Sequence, residues 1–241
     1  MCVVTCEHGG NRVPRELAPR FRGQRTLLAS HRGYDPGALA TARTLARVLG
    51  APLVASTVSR LVVDLNRSPG RQFRDSHVMR AAPRDVRDDA SSRYYAPYRG
   101  LVERIVRDAL LTGRRVVHVS SHSFTPILDG DVRQADVGLL YDPAHVAERE
   151  LCARWQRELA ARVPQWNVRR NYPYLGRSDG LTTYLRRRFD ADRYVGVELE
   201  VNQRHCGAGS LSLPARMAIA LGLRTALADW PLARVSARDS P

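Results

Sequence analysis

The chain has 241 residues, 44% of them hydrophobic, enough for a substantial core in one large domain or two small ones. Its formal net charge of +14 comes from arginine alone, because the sequence contains no lysine; runs such as Arg186-Arg187-Arg188 carry no recognisable nucleic-acid motif, so nucleic acid is not the expected partner, whereas a positive field also draws in small carboxylates. No stretch approaches the roughly 20 apolar residues of a membrane span, and the start lacks the features of a signal peptide, so a soluble cytoplasmic protein is expected.

In chain order, the patterning predicts a strand at Cys2–Cys6, a helix at Pro36–Leu49, strands at Pro52–Thr57 and Leu61–Leu65, and a helix at Ser91–Leu111. Strands at Val116–Ser120 and Val137–Tyr141, helices at Ala144–Arg162 and Thr182–Phe189, a strand at Tyr194–Val201 and a helix at Pro214–Asp229 follow. Pro36 and Pro214 suit first-turn positions, and Gly50, Gly113 and Gly222 punctuate or follow apolar segments. This alternation predicts one α/β domain over residues 1–232, with a parallel or mixed sheet between helix layers, and a flexible tail at 233–241.

The four cysteines show no C-x-x-C spacing. Cys2 and Cys6 on one strand would lie about 13 Å apart, too far for a disulfide. A structural zinc held by Cys6, His8, His205 and Cys206 is conceivable but matches no finger spacing.

Polar residues gather at the ends of the predicted strands: His8 after the first, Asn66-Arg67 after "LVVDL", His122 after "VVHVSS", and Glu198 and Glu200 in "YVGVELEV". Open α/β sheets bind ligands beyond the carboxyl ends of their strands, so these segments can converge on one crevice. Each also has an ordinary reading: His8 as a capping or packing residue, "GG" as a turn, Asn66-Arg67 as a loop, the two glutamates as the outward face of a half-buried strand. A catalytic zinc takes three His or carboxylate ligands, which His8 and His122 would begin to supply. Asp35 in "HRGYDPGA" is a candidate third ligand, or alternatively a helix N-cap.

Taken in order, "CEHGGNRVP", "HRGYDPGA", "RLVVDLNRSP", "HVSSHSFTP", "VGLLYD", "GLTTYLRRRF" and "GVELEVNQ" resemble the N-formylglutamate amidohydrolase family, itself more distantly similar to zinc carboxypeptidases and aspartoacylases. The resemblance runs to about Gln203. It implies a three-layer α/β/α sandwich with a central mixed sheet, of the phosphorylase/hydrolase-like kind. It also implies an enzyme with one zinc ion per chain that hydrolyses the amide of a small anionic N-acyl amino acid. Carried over position by position, His8 and His122 become zinc ligands. Related carboxypeptidases use H-x-x-E, but the fourth residue of "HGGN" is Asn11, which raises Asp35 as the third ligand and leaves Asn11 to hold a ligand or substrate by hydrogen bonds.

Asn66-Arg67 resembles the Asn-Arg pair that grips substrate carboxylates, a task suited to the two-pronged guanidinium. Glu200 aligns with the general base. Glu198, on the same strand face, would support a ligand or an arginine. Arg186 or Arg187 would polarise the scissile carbonyl, with Tyr184 nearby; Asn202 replaces an arginine of the commoner pattern, which bears on the identity of the substrate side chain. A carboxypeptidase-like peptidase or another deacylase is the alternative within enzymes, and a non-catalytic ligand-binding or nucleic-acid-binding protein the alternative outside them.

Overall fold

The computed structural model describes residues 1–70, 75–207, 209–228 and 230; the tail expected at 233–241 lies outside them. One sheet contains β1 (Cys2–Cys6), β2 (Leu53–Ala55), β3 (Val116–Phe124), β4 (Val137–Leu140), β5 (Val168–Arg170) and β6 (Tyr194–Asn202) in the spatial order β2-β1-β3-β6-β4-β5. The first four in that order run parallel, β4 runs antiparallel to β6, and β5 is parallel to β4, so the sheet is mixed. The helices of at least six residues that flank the sheet include α1 (Ala38–Leu49), α2 (Ala96–Leu111), α3 (Val146–Arg162), α4 (Leu181–Arg186) and α5 (Leu213–Ala228).

The strand pleat sends alternate side chains to opposite faces and so creates two cores. Val117 and Val119 of β3 and Val195, Val197 and Leu199 of β6 pack with Leu45 of α1, Trp155 and Leu159 of α3 and Ile219 and Leu223 of α5. On the other face, Val116 and Tyr194 pack with Val102 and Val106 of α2 and with Leu181 and Leu185 of α4. The result is a three-layer α/β/α sandwich. Each fully buried Leu, Val or Ile contributes roughly 1.5–3 kcal/mol of hydrophobic stabilisation, which fixes the register of the central strands.

That register decides where the polar residues go. Ser120 pairs with Glu198 and His122 with Glu200 across β3 and β6, while Thr5 of β1 pairs with Ser120. The three parallel strands therefore end side by side.

Two expectations are corrected. Leu61–Leu65 is a buried turn segment, not a strand: Leu61, Val62, Val63 and Leu65 fill the second core, and the bonds Val62 N→Ser59 O and Arg67 N→Asp64 O satisfy the backbone locally. A short apolar run does not reveal its own conformation. Conversely, β5 was absent from the predicted elements; it is an edge strand with two exposed arginines and little alternation to betray it. The segment Ser91–Leu111 begins as a π-helical turn before α2.

Candidate active site

His8 leaves β1 in a turn whose glycines allow a close approach. A Cβ on Gly9 would stand 2.8 Å from Ser56 O, and one on Gly10 2.8 Å from Thr57 O. Pressed against the residues that follow β2, the turn aims the imidazole at the sheet end, where Asp35 N also bonds His8 O at 2.9 Å. Asp35 does not cap α1 with its side chain. The residue preceding that helix is Gly37, with φ +82°, and the helix has no side-chain cap.

The Asp35 carboxylate turns instead to the two histidines. Its Oδ2 lies 3.3 Å from His8 Nδ1 and 2.9 Å from His122 Nδ1. One ligand atom from each of His8, Asp35 and His122 lies within 4.8 Å of the others, and all three residues are buried. The second nitrogen of each ring faces another carboxylate: His8 Nε2 is 2.7 Å from Asp64 Oδ1, and His122 Nε2 is 3.1 Å from Glu7 Oε2. Such an outer carboxylate fixes the tautomer and orientation of an imidazole that ligates metal through its other nitrogen.

These outer groups are themselves held. Glu7 accepts from Ser120 Oγ at 2.6 Å and from Tyr98 OH at 3.0 Å, while Asp64 accepts from Arg60 Nη2 at 2.8 Å and from Asn66 N at 2.9 Å. Burial alone would raise the carboxyls of Glu7, Asp35 and Asp64. Bonds from His122 to Glu7, and the charges and bonds of the histidines and Arg60 around the two aspartates, outweigh it and hold all three ionised. Burial likewise opposes the charge on His122, yet its bonds to Asp35 and Glu7 push it well above the ordinary value. Of the three buried carboxylates, Asp35 and Asp64 share one guanidinium, Arg60, and Glu7 faces His122, so a dication among the three ligand atoms would meet a surplus of negative charge. Two imidazoles and a carboxylate form a donor set suited to zinc, and the residues fit such an ion.

A cavity of about 530 Å³ opens over this group, lined by His8, Asp35 and His122 together with Arg60, Asn66, Arg67, Ser123, Tyr174, Leu175, Ser178, Asp179, Glu198 and Glu200. Glu200 is buried, and its Oε2 has no hydrogen-bond partner among the described residues. Burial is the main cause that pushes its carboxyl up to about 8; His122 and Arg60 pull against it, and Asp35 and Glu198 add to it. Glu198 accepts from Thr182 Oγ1 at 2.7 Å and faces Gly180. Asn66 accepts from Leu181 N at 2.7 Å, and Arg67 Nη1 donates to Asp179 O at 2.5 Å.

The structure therefore brings His8, Asp35, His122, Asn66, Arg67, Glu198 and Glu200 together. It does not bring Asn11, Tyr184 or Arg186 to the cavity. Asn11 is exposed and donates to Leu28 O; Tyr184 OH donates to Glu103, and its ring carries the Arg99 and Arg188 guanidinia. Arg186 is engaged by Glu148, Gly176 O, Thr183 and Gly196 O, bracing α4 against α3 and β6. Asn202 is buried with its amide on Arg133 O and Ala135 O, away from the cavity lining. The four residues Cys6, His8, His205 and Cys206 are not assembled either: His205 pairs with Asp136 and stacks on Trp166. Among the described residues, the His8–Asp35–His122 group is where three such donors converge.

A sequence model of N-formylglutamate amidohydrolase matches residues 1–206. The chain belongs to the N-formylglutamate amidohydrolase family. Similar solved structures include a gene product from Agrobacterium tumefaciens, 30% identical, with 94% of this chain and 90% of that chain covered and a TM-score of 0.75. An N-formylglutamate amidohydrolase from Ralstonia eutropha JMP134 shares the fold at 22% identity, with 94% and 92% covered and a TM-score of 0.67. No curated protein matches the chain. Membership of this amidohydrolase family makes hydrolysis of an amide bond its class of reaction. No described helix is long and apolar enough to cross a membrane.

Within this family member, Glu7 and Asp64 are the site residues that sequence reasoning passed over. Both stand inside motifs already singled out, "CEHGGN" and "DLNRSP", and the usable signal was a carboxylate one or two residues from a candidate ligand or substrate-binding residue.

Proposed function

We propose that the protein is a zinc-dependent hydrolase of small N-acyl amino acids. The observation that carries this reading is the buried His8–Asp35–His122 donor group beside Glu200, whose carboxyl, raised to about 8, presents an unpartnered oxygen in the same cavity. His8, Asp35 and His122 would hold the ion, with Asp64 and Glu7 orienting the two rings. When bound, zinc supplies a Lewis acid that polarises an amide carbonyl and acidifies water.

The remaining steps belong to side chains. Arg67, beside Asn66, binds the substrate carboxylate by its two-pronged face and so orients the amide. Glu200 removes a proton from the attacking water and returns it to the leaving nitrogen; a carboxyl near 8 can hold and release that proton around neutral pH. Glu198, tied to Thr182, sets a second carboxyl group two residues before Glu200 on the same face of β6. Arg60, bonded to both Asp35 and Asp64, offsets the buried carboxylates.

A screen of N-formyl and N-acetyl amino acids, with the free amine measured as product, tests this reading. Chelator-sensitive release from at least one acid, and much weaker release from its carboxamide analogue, is expected. Absence of turnover across the panel with metal restored would contradict it.

A further inference from the structure

Beside the cavity over the histidines lies a second one of about 380 Å³, and the two meet at Arg60 and Arg67, which line both. Its other basic lining residues are His31, Arg32, His77 and Arg80. Two acids, Asp64 and Asp75, also line it, and Asp64 is already engaged by His8 and Arg60.

The side chains of Arg32, His77 and Arg80 have no hydrogen-bond or ion-pair partner among the described residues, in contrast to Arg60, which is anchored to two aspartates. Arginines gathered round a hollow repel one another and gain when an anion enters between them. The same field shows in His31, whose ring is held below its ordinary value by burial first and then by Arg32, Arg60 and Arg133. One carboxylate needs one guanidinium fork, and Arg67 in the first cavity suffices for that. Further cations beyond it, around a chamber of this size, match further negative charges on the same ligand.

We infer that this chamber binds the acidic continuation of the substrate's amine half, so that the preferred substrate is an N-acylated acidic peptide rather than a single N-acyl amino acid. This rests on the reading of the first cavity as an amidohydrolase site. Arg67 holds the nearer carboxylate at the boundary, and Arg32 and Arg80 receive those carried farther along the chain.

Calorimetric binding of the amine-side products tests the inference without requiring turnover, so failure of the hydrolase reading and failure of this one remain distinguishable. The probes are glutamate, tri-glutamate and tri-glutamine, titrated into the wild-type protein and into an Arg32→Ser/Arg80→Ser variant, both positions being exposed and neither lining the cavity over the histidines. Tri-glutamate should bind wild type at least about ten-fold more tightly than glutamate or tri-glutamine, with a preference that fades as salt rises. The variant should lose most of that preference while binding glutamate as wild type does. Equal binding of glutamate and tri-glutamate, a preference that survives in the variant, or no measurable binding of any probe would overturn the proposal.

Discussion

Replacing Asp64 by asparagine isolates the carboxylate that holds the far side of His8. Asp64 accepts bonds from His8 Nε2 at 2.7 Å, Asn66 N at 2.9 Å and Arg60 Nη2 and Nε at 2.8 and 3.2 Å. Asparagine preserves the shape but has only one acceptor oxygen. If that oxygen stays with His8 and Asn66, the amide nitrogen confronts the Arg60 donors, and bonds worth about 1.5–3 kcal/mol each to a charged group are lost. His8 loses its anionic partner in either orientation, which makes its other nitrogen a weaker donor. Metal affinity should fall about 10–100-fold, equivalent to about 1.4–2.8 kcal/mol. Competition against a chromophoric chelator measures this, and thermal unfolding of the metal-free proteins separates it from loss of fold. A folded Asp64→Asn protein with wild-type metal affinity would refute the assignment of Asp64 as the group that orients His8.

Glu200→Gln should lower turnover by about two to four orders of magnitude with metal retained, whereas Glu198→Gln should do less; the reverse ranking in single-turnover kinetics would exchange their roles. Arg67→Ala should cost about one to two decades in kcat/KM on an N-acyl amino acid and erase most of the preference over its carboxamide, with Arg67→Lys restoring only part; full preference in the alanine variant would mean that the carboxylate is read elsewhere. His118 is buried between Thr5 and Tyr194, and burial, the largest cause, lowers its ring to about 4 from 6.5. The unfolded chain therefore binds more protons between those values, so the stability tied to this neutral ring is fully present above pH 6.5 and is lost as pH falls towards 4, by up to roughly 3 kcal/mol. Denaturant midpoints at pH 7 and pH 5 should separate less for His118→Asn than for wild type; equal separations would contradict the buried neutral ring.

The central strands were legible because they lie between two helix layers: β1 and the start of β3 are short apolar runs, and the apolar residues of β6 recur with period two. Leu61–Leu65 carries the same residue types, yet Ser59 and Asp64 turn its backbone through side-chain bonds to amides two residues on, which an apolar pattern does not register. At the site, His8, His122, Glu198 and Glu200 could be read because strand ends and register bring them together. Tyr184 and Arg186 looked equally available in "TTYLRRR", but Glu103 and Glu148, more than 35 residues away, draw them into the framework. Asp35 was ambiguous for a related reason: a residue just ahead of a helix suits a cap, and only the meeting of two histidines at its Oδ2 explains its place.

Metal content of the purified protein and of its His8→Ala and His122→Ala variants tests the central claim most directly. About one zinc or equivalent dication per chain is predicted for wild type, and little in either variant, with circular dichroism showing that the sandwich persists. Normal metal content in both folded variants, or a wild-type protein that takes up no divalent ion when titrated, would contradict the account.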